Sequence, residues 1–166
     1  NEQWDEQYVE RYALFEKILK QKHPEVKLVA AAGPFAEGAL FDYLWKAFQS
    51  YKPDFMDEHY YKGPDWFLKN AARYDNYDRK GFKVFAGEYA GHGKDNAQAE
   101  SKNTWHSAMS EAAFMTGLER NADVVQMCSY APLLAHVDAW QWRPDLIWFD
   151  NLRSMATPNY YVQQLY

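Results

Sequence analysis

Polar and apolar positions along this chain switch between two periods. From Gln7 to Lys22, Tyr8, Tyr12, Phe15 and Leu19 recur at helical spacing with charges opposite, and Pro24 stops the run. Val26 to Ala32 (VKLVAAA) is a short apolar stretch closed by Gly33–Pro34, the mark of a buried strand. Phe41, Leu44, Trp45 and Phe48 restore the helical period between Leu40 and Tyr51, and Pro53 ends it. Asp54 to Tyr61 (DFMDEHYY) reads as a second strand in spite of its polarity. Pro64 suits the first turn of a helix through PDWFLKNAARY that carries Trp66, Phe67, Ala71 and Tyr74. FKVFAGEYA, from Phe82, predicts a third strand, Thr104 to Arg120 a long helix, and Ala122 to Tyr130 (ADVVQMCSY) a fourth strand. The tail adds a short strand at LIWFDN and a last helix over Asn159 to Tyr166, after Pro158.

Strands that alternate with helices, in units of about 28 residues, imply βαβ connections and a parallel sheet. An open doubly wound sheet and a (β/α)₈ barrel are the two architectures that answer to this. No Gly-x-Gly-x-x-Gly follows a strand and no Gly-x-x-x-x-Gly-Lys occurs, so the nucleotide-binding form of the open sheet lacks its signature. A whole barrel takes about 250 residues, and 166 are present. The expected fold class is therefore α/β, a partial (β/α)₈ barrel in one domain over residues 1–166.

Composition narrows the partners. A net charge of −5 speaks against a nucleic-acid backbone as ligand, because such binders concentrate Lys and Arg. The chain holds 7 Trp and 13 Tyr, more than packing alone usually needs, and these are the side chains that hold flat polar ligands such as sugars. A lone cysteine, Cys128, excludes an internal disulfide and a thiolate metal cage. No apolar run reaches the length of a membrane span, so no membrane partner is expected.

The chemistry collects where strands end. In FKVFAGEYAGHG, Ala86 and Gly87 shrink the side chains just before Glu88, which reads as a carboxylate presented to a site. DFMDEHYY ends in His59, Tyr60 and Tyr61, and Asn1–Glu2 comes directly before a helix, where a preceding strand would end. Two glutamates at strand ends, with a histidine and tyrosines between them, suggest glycoside hydrolysis by paired carboxylates. Asp57 shares the face of His59 by alternation, but one carboxylate and one histidine are too little for a metal site, so no metal is expected. Trp140, Trp142 and Trp148 read equally well as a sugar platform or as the packing of a hairpin lid.

NEQW, DEHYY, RYDNYDRKGFKVFAGEYA, EAAFMTGLERNADVVQMCSYAPLL and LIWFDN…TPNYYVQQL together resemble glycoside hydrolase family 51, the α-L-arabinofuranosidases, over essentially the whole chain. The resemblance implies a retaining barrel glycosidase in which Glu88 is the nucleophile at the end of strand seven and Glu2 the acid/base at the end of strand four. It also implies that His59 and Tyr61 line the sugar subsite and that Asn1 contacts the sugar 2-hydroxyl. The implied partner is an arabinose-containing carbohydrate, with no metal or organic cofactor and a homo-oligomer as one possible state. The family's first three strands and its C-terminal β-sandwich have no counterpart here. His92 holds the place, four residues after Glu88, where the family often has tryptophan. A non-catalytic sugar-binding fragment, and a relative of the same clan acting on a pyranoside, stand beside this reading.

Overall fold

The computed structural model describes residues 6–92 and 102–166. Helix α1 (Glu6–Lys22) leads into strand β1 (Val29–Ala31), helix α2 (Ala39–Phe48) and strand β2 (Phe55–Lys62). Helix α3 (Pro64–Lys69) and a 3₁₀ turn (Arg73–Asn76) precede strand β3 (Lys83–Gly91), and helix α4 (Trp105–Arg120) precedes strand β4 (Val125–Tyr130). These four strands form one sheet in the order β1-β2-β3-β4, with all pairs parallel, so α2, α3 and α4 lie on the crossovers between neighbours. Three short strands, β5 (Leu134–His136), β6 (Ile147–Phe149) and β7 (Ser154–Ala156), make a second sheet before helix α5 (Pro158–Leu165).

The core lies on the helix side of the main sheet. Val84, Ala86 and Tyr89 of β3 pack with Tyr60 of β2, Phe67 of α3 and Phe114, Met115 and Leu118 of α4. A second cluster joins Val9 and Tyr12 of α1, Ala30 of β1, Leu44 and Phe48 of α2 and Met56 of β2. Burying such side chains is worth about 1.5–3 kcal/mol each, which is what holds short helices that propensity alone would not. Helix α4 packs so closely on the chain just after α3 that a Cβ at Gly117 would lie 1.9 Å from the Ala71 carbonyl oxygen.

Several elements differ from the periodic reading, each for a local reason. The helix predicted through PDWFLKNAARY stops at Lys69, because the Asn70 side chain donates to the Trp66 carbonyl (2.8 Å) and competes with the helical ladder. On α1, Val9 and Tyr12 are buried while Phe15 is 66% exposed, beside exposed Leu14 and Ile18. Thr104 caps α4 rather than joining it: its hydroxyl accepts from the Ser107 amide (3.1 Å), and the Thr104 amide donates to the Ser107 hydroxyl (3.0 Å). Pro158 opens α5 and Thr157 caps it, accepting from the Tyr160 amide (3.3 Å). Neither Glu88 nor His59 ends its strand. Both strands run on together, Tyr60, Tyr61 and Lys62 pairing with Tyr89, Ala90 and Gly91.

Candidate active site

Alternation along β2 divides its polar residues between two faces. Met56, Glu58 and Tyr60 turn toward the helices, and Asp57, His59 and Tyr61 toward the opposite face. Asp57, Glu58 and His59 are all buried, and burying a charged group is costly unless it is answered. Glu58 is answered behind the sheet: the hydroxyls of Tyr60, Tyr74 (2.9 Å) and Tyr77 (3.0 Å) donate to it, and the Arg73 Nε stands 3.5 Å away. This places Tyr74 and Tyr77 of RYDNYDRK against Glu58 on the helix side of the sheet.

Strict alternation along β3 would send Glu88 the same way as Val84 and Ala86, into the helix-side core. A bulge prevents it. Asp57 pairs with Phe85 and His59 with Glu88, so β3 spends one residue more than β2 between these rungs. The extra residue reverses the parity. Tyr89 joins Val84 and Ala86 in the core, and Glu88 emerges on the face of His59 and Tyr61. The Ser129 hydroxyl donates to the Gly87 carbonyl and satisfies backbone that the bulge leaves out of the ladder.

Gly87 is required at this place by contact. A Cβ built there would lie 2.0 Å from Asp57 Oδ1 and 3.1 Å from the Phe85 ring. Asp57 occupies that space while its Oδ2 lies 3.0 Å from His59 Nε2, and His59 Nδ1 is 3.6 Å from Glu88 Oε2. His59 thus lies between two carboxylates, within hydrogen-bond distance of Asp57 and within ion-pair range of Glu88. The Tyr61 hydroxyl donates to Glu88 Oε2 at 2.6 Å and orients the carboxylate. The Glu88 side chain is 25% exposed, so the chain Asp57–His59–Glu88 runs from a buried anchor to a solvent-reachable oxygen. Tyr61 also faces the His92 ring, with centroids 5.6 Å apart.

Three of the sequence-derived site residues, Glu88, His59 and Tyr61, are thus brought together. Asn1 and Glu2 lie outside the described residues. Asp57 and Gly87 complete the arrangement. The Asp-x-His spacing of β2 was the signal for the first, and the shrinking side chains before Glu88 for the second. Below the site, Glu111 of α4 accepts from the Gly91 amide (2.6 Å) at the end of β3. Burial pushes its carboxyl up to about 7, against the easing effects of Asn159 and of that amide. Among the described residues no group of three or more His, Cys, Asp or Glu side chains could hold a metal ion, and no helix is long and apolar enough to cross a membrane.

Residues 1–79 match the family model described as Alpha-L-arabinofuranosidase 1 domain, and residues 87–166 the model described as Alpha-L-arabinofuranosidase C-terminal domain. The chain is 48% identical over 161 residues to an extracellular exo-α-L-arabinofuranosidase of Streptomyces chartreusis, a match covering 97% of this chain and 18% of that protein. It is 31% identical over 159 residues to α-L-arabinofuranosidase 1 of Arabidopsis thaliana, covering 96% of this chain and 21% of that one. The arabinose-bound structure of MgGH51 α-L-arabinofuranosidase superposes with a TM-score of 0.83 at 35% identity, over 96% of this chain and 25% of the other. An α-L-arabinofuranosidase of Thermotoga maritima in complex with arabinose shares the fold, with a TM-score of 0.72 at 16% identity. The chain spans 18% and 21% of the length of the two curated relatives, and 25% and 35% of the two solved structures. The two family models carry one enzyme name and leave only residues 80–86 between them, and the chain belongs to the α-L-arabinofuranosidases of glycoside hydrolase family 51.

Proposed function

We propose that this chain carries the nucleophile of a retaining α-L-arabinofuranosidase that releases terminal arabinofuranosyl units from arabinose-containing polysaccharides or oligosaccharides. The observation that carries the reading is the Glu88 carboxylate, turned by a bulge onto the face of His59 and held by the Tyr61 hydroxyl at 2.6 Å. Glu88 attacks the anomeric carbon while Glu2, as acid, protonates the departing oxygen, which gives a glycosyl-enzyme. Glu2 then acts as base toward a water that attacks the same carbon and releases Glu88, with net retention of configuration. Such pairs stand about 5–5.5 Å apart. His59 and Tyr61 line the subsite of the cleaved sugar, and Asn1 meets its 2-hydroxyl. Nothing in these steps draws on a metal or an organic cofactor.

The four parallel strands are read as strands five to eight of a (β/α)₈ barrel. Their consecutive order supports this, as does a site toward their C-terminal ends, where barrel enzymes carry their chemistry. A fluorogenic α-L-arabinofuranoside assayed beside pyranoside analogues, in the full-length polypeptide, tests the activity. Glu88→Ala should abolish turnover even of activated aryl substrates. Glu2→Ala should slow poor leaving groups far more than good ones. Substantial residual turnover in Glu88→Ala would remove that residue from the role.

A further inference from the structure

The segment that follows β4 lines a half-open cavity of about 360 Å³, within the size range of small-molecule sites. Its walls include Pro132, His136, Trp140, Gln141, Trp142 and Asp145. Asp145 is 2% exposed, and its Oδ2 has no hydrogen-bond partner. A buried acceptor left in that condition is costly, so a donor arriving in the cavity would be rewarded. Trp142 is half-exposed at the same cavity, at 51%. Trp140 is braced by the Arg143 guanidinium, 4.0 Å above its ring, and by Trp148 edge-on at 6.4 Å. His136 Nδ1 accepts from the Asp138 amide (3.2 Å), which leaves the ring proton on Nε2 as a donor.

The cavity stands at the same end of the main sheet as Glu88. The Ala131 amide donates to the carbonyl of Tyr89 (3.3 Å), the residue after Glu88, and Pro132 at the lip follows directly. Two indoles, a buried unpartnered carboxylate and an amide side chain form a set that fits a hydroxylated ring. Its C–H face lies on tryptophan and a hydroxyl donates to Asp145. Arg143 already places a cation beside Trp140 and Asp145, which disfavours an ammonium ligand in the same space.

We propose that this cavity is a second carbohydrate subsite, holding a neutral sugar unit of the chain that bears the cleaved arabinofuranosyl branch. This rests on the arabinofuranosidase reading above. Two readouts on the full-length polypeptide separate the two claims. Tryptophan fluorescence titrated with linear xylo- and arabino-oligosaccharides of four units reads the cavity without any turnover. Saturable binding should weaken at least ten-fold in Trp142→Ala and be largely kept in Trp142→Phe. In kinetics, Trp142→Ala and Asp145→Asn should lower kcat/KM for an arabinofuranosyl-substituted oligosaccharide at least ten-fold more than for an aryl arabinofuranoside, chiefly through KM. Equal losses on the two substrates, or oligosaccharide binding that is absent or indifferent to Trp142→Ala, would overturn the subsite. A wild-type chain that binds the oligosaccharides through Trp142 but cleaves no arabinofuranoside would sustain the subsite and overturn the catalytic reading instead.

Discussion

Replacing Gly87 by alanine tests whether the bulge acts through Asp57. The added methyl would start 2.0 Å from Asp57 Oδ1 and needs about 3.4 Å for ordinary contact, so the carboxylate must retreat by roughly 1.4 Å. Its two oxygens move as one rigid group, and a shift of that size takes Oδ2 out of hydrogen-bond range of His59 Nε2, now 3.0 Å away. A hydrogen bond to a charged group is worth about 1.5–3 kcal/mol. If His59 then turns from Glu88, kcat/KM for an aryl arabinofuranoside should fall by about 10- to 150-fold. Asp57→Ala should cost a similar factor and also open the space that the methyl needs. The double variant Gly87→Ala, Asp57→Ala should therefore be no worse than Asp57→Ala alone, the signature of two residues acting through one contact. Thermal melts run beside the kinetics separate lost activity from lost folding. Wild-type activity in Gly87→Ala, or losses that multiply in the double variant, would refute the reasoning.

Glu111 sets a pH dependence of stability. Its carboxyl titrates near 7 when folded instead of its ordinary 4.5, so folding favours the neutral acid, and the stability it contributes is present below 4.5 and lost as pH rises through about 7. That difference is worth about 3 kcal/mol, and Glu111→Gln should stabilise the protein by up to about this much at pH 8 and little at pH 4, read by urea denaturation at both. Tyr61→Phe removes the donor to Glu88 Oε2 and should lower kcat/KM for an aryl arabinofuranoside about ten-fold with an unchanged melting temperature; an unchanged rate would deny the contact a role. The isolated 166 residues should self-associate in size-exclusion chromatography, because β1 and β4 are the two edges of the main sheet and Val29, Met127, Leu14 and Phe15 are exposed. A clean monomer at high concentration would contradict that.

The alternation of elements was legible because each helix of the middle of the chain carries an apolar stripe and each strand an apolar or aromatic run. Even the polar DFMDEHYY was found, since Phe55, Met56, Tyr60 and Tyr61 keep strand character around its charges. What periodicity could not supply was parity. A strand with one extra residue reads the same as one without it, and only the pairing of His59 with Glu88 shows which way the carboxylate turns. The last rung was hidden for a related reason: Lys62 and Gly91 each extend their strand by one residue because they pair with each other, which is a tertiary fact. The inward turn of Tyr74 and Tyr77 toward Glu58 depends on a contact 16 and 19 residues away in the chain. The exposed side of α1 was misassigned because Leu14, Phe15 and Ile18 form a second apolar stripe that no described residue covers.

The ring of hydroxyls around Glu58 limits how this part of the protein can change over evolutionary time. Removing one tyrosine strands a buried anion short of a donor, and removing the glutamate strands three hydroxyls and the Arg73 guanidinium in an apolar layer. Each single step passes through a poorly folding intermediate, whereas an apolar set exchanged together could pack as well. Glu58, Tyr60, Arg73, Tyr74 and Tyr77 should therefore drift as a block, and a library that randomises them jointly should recover viable replacements that one-at-a-time mutagenesis never reaches.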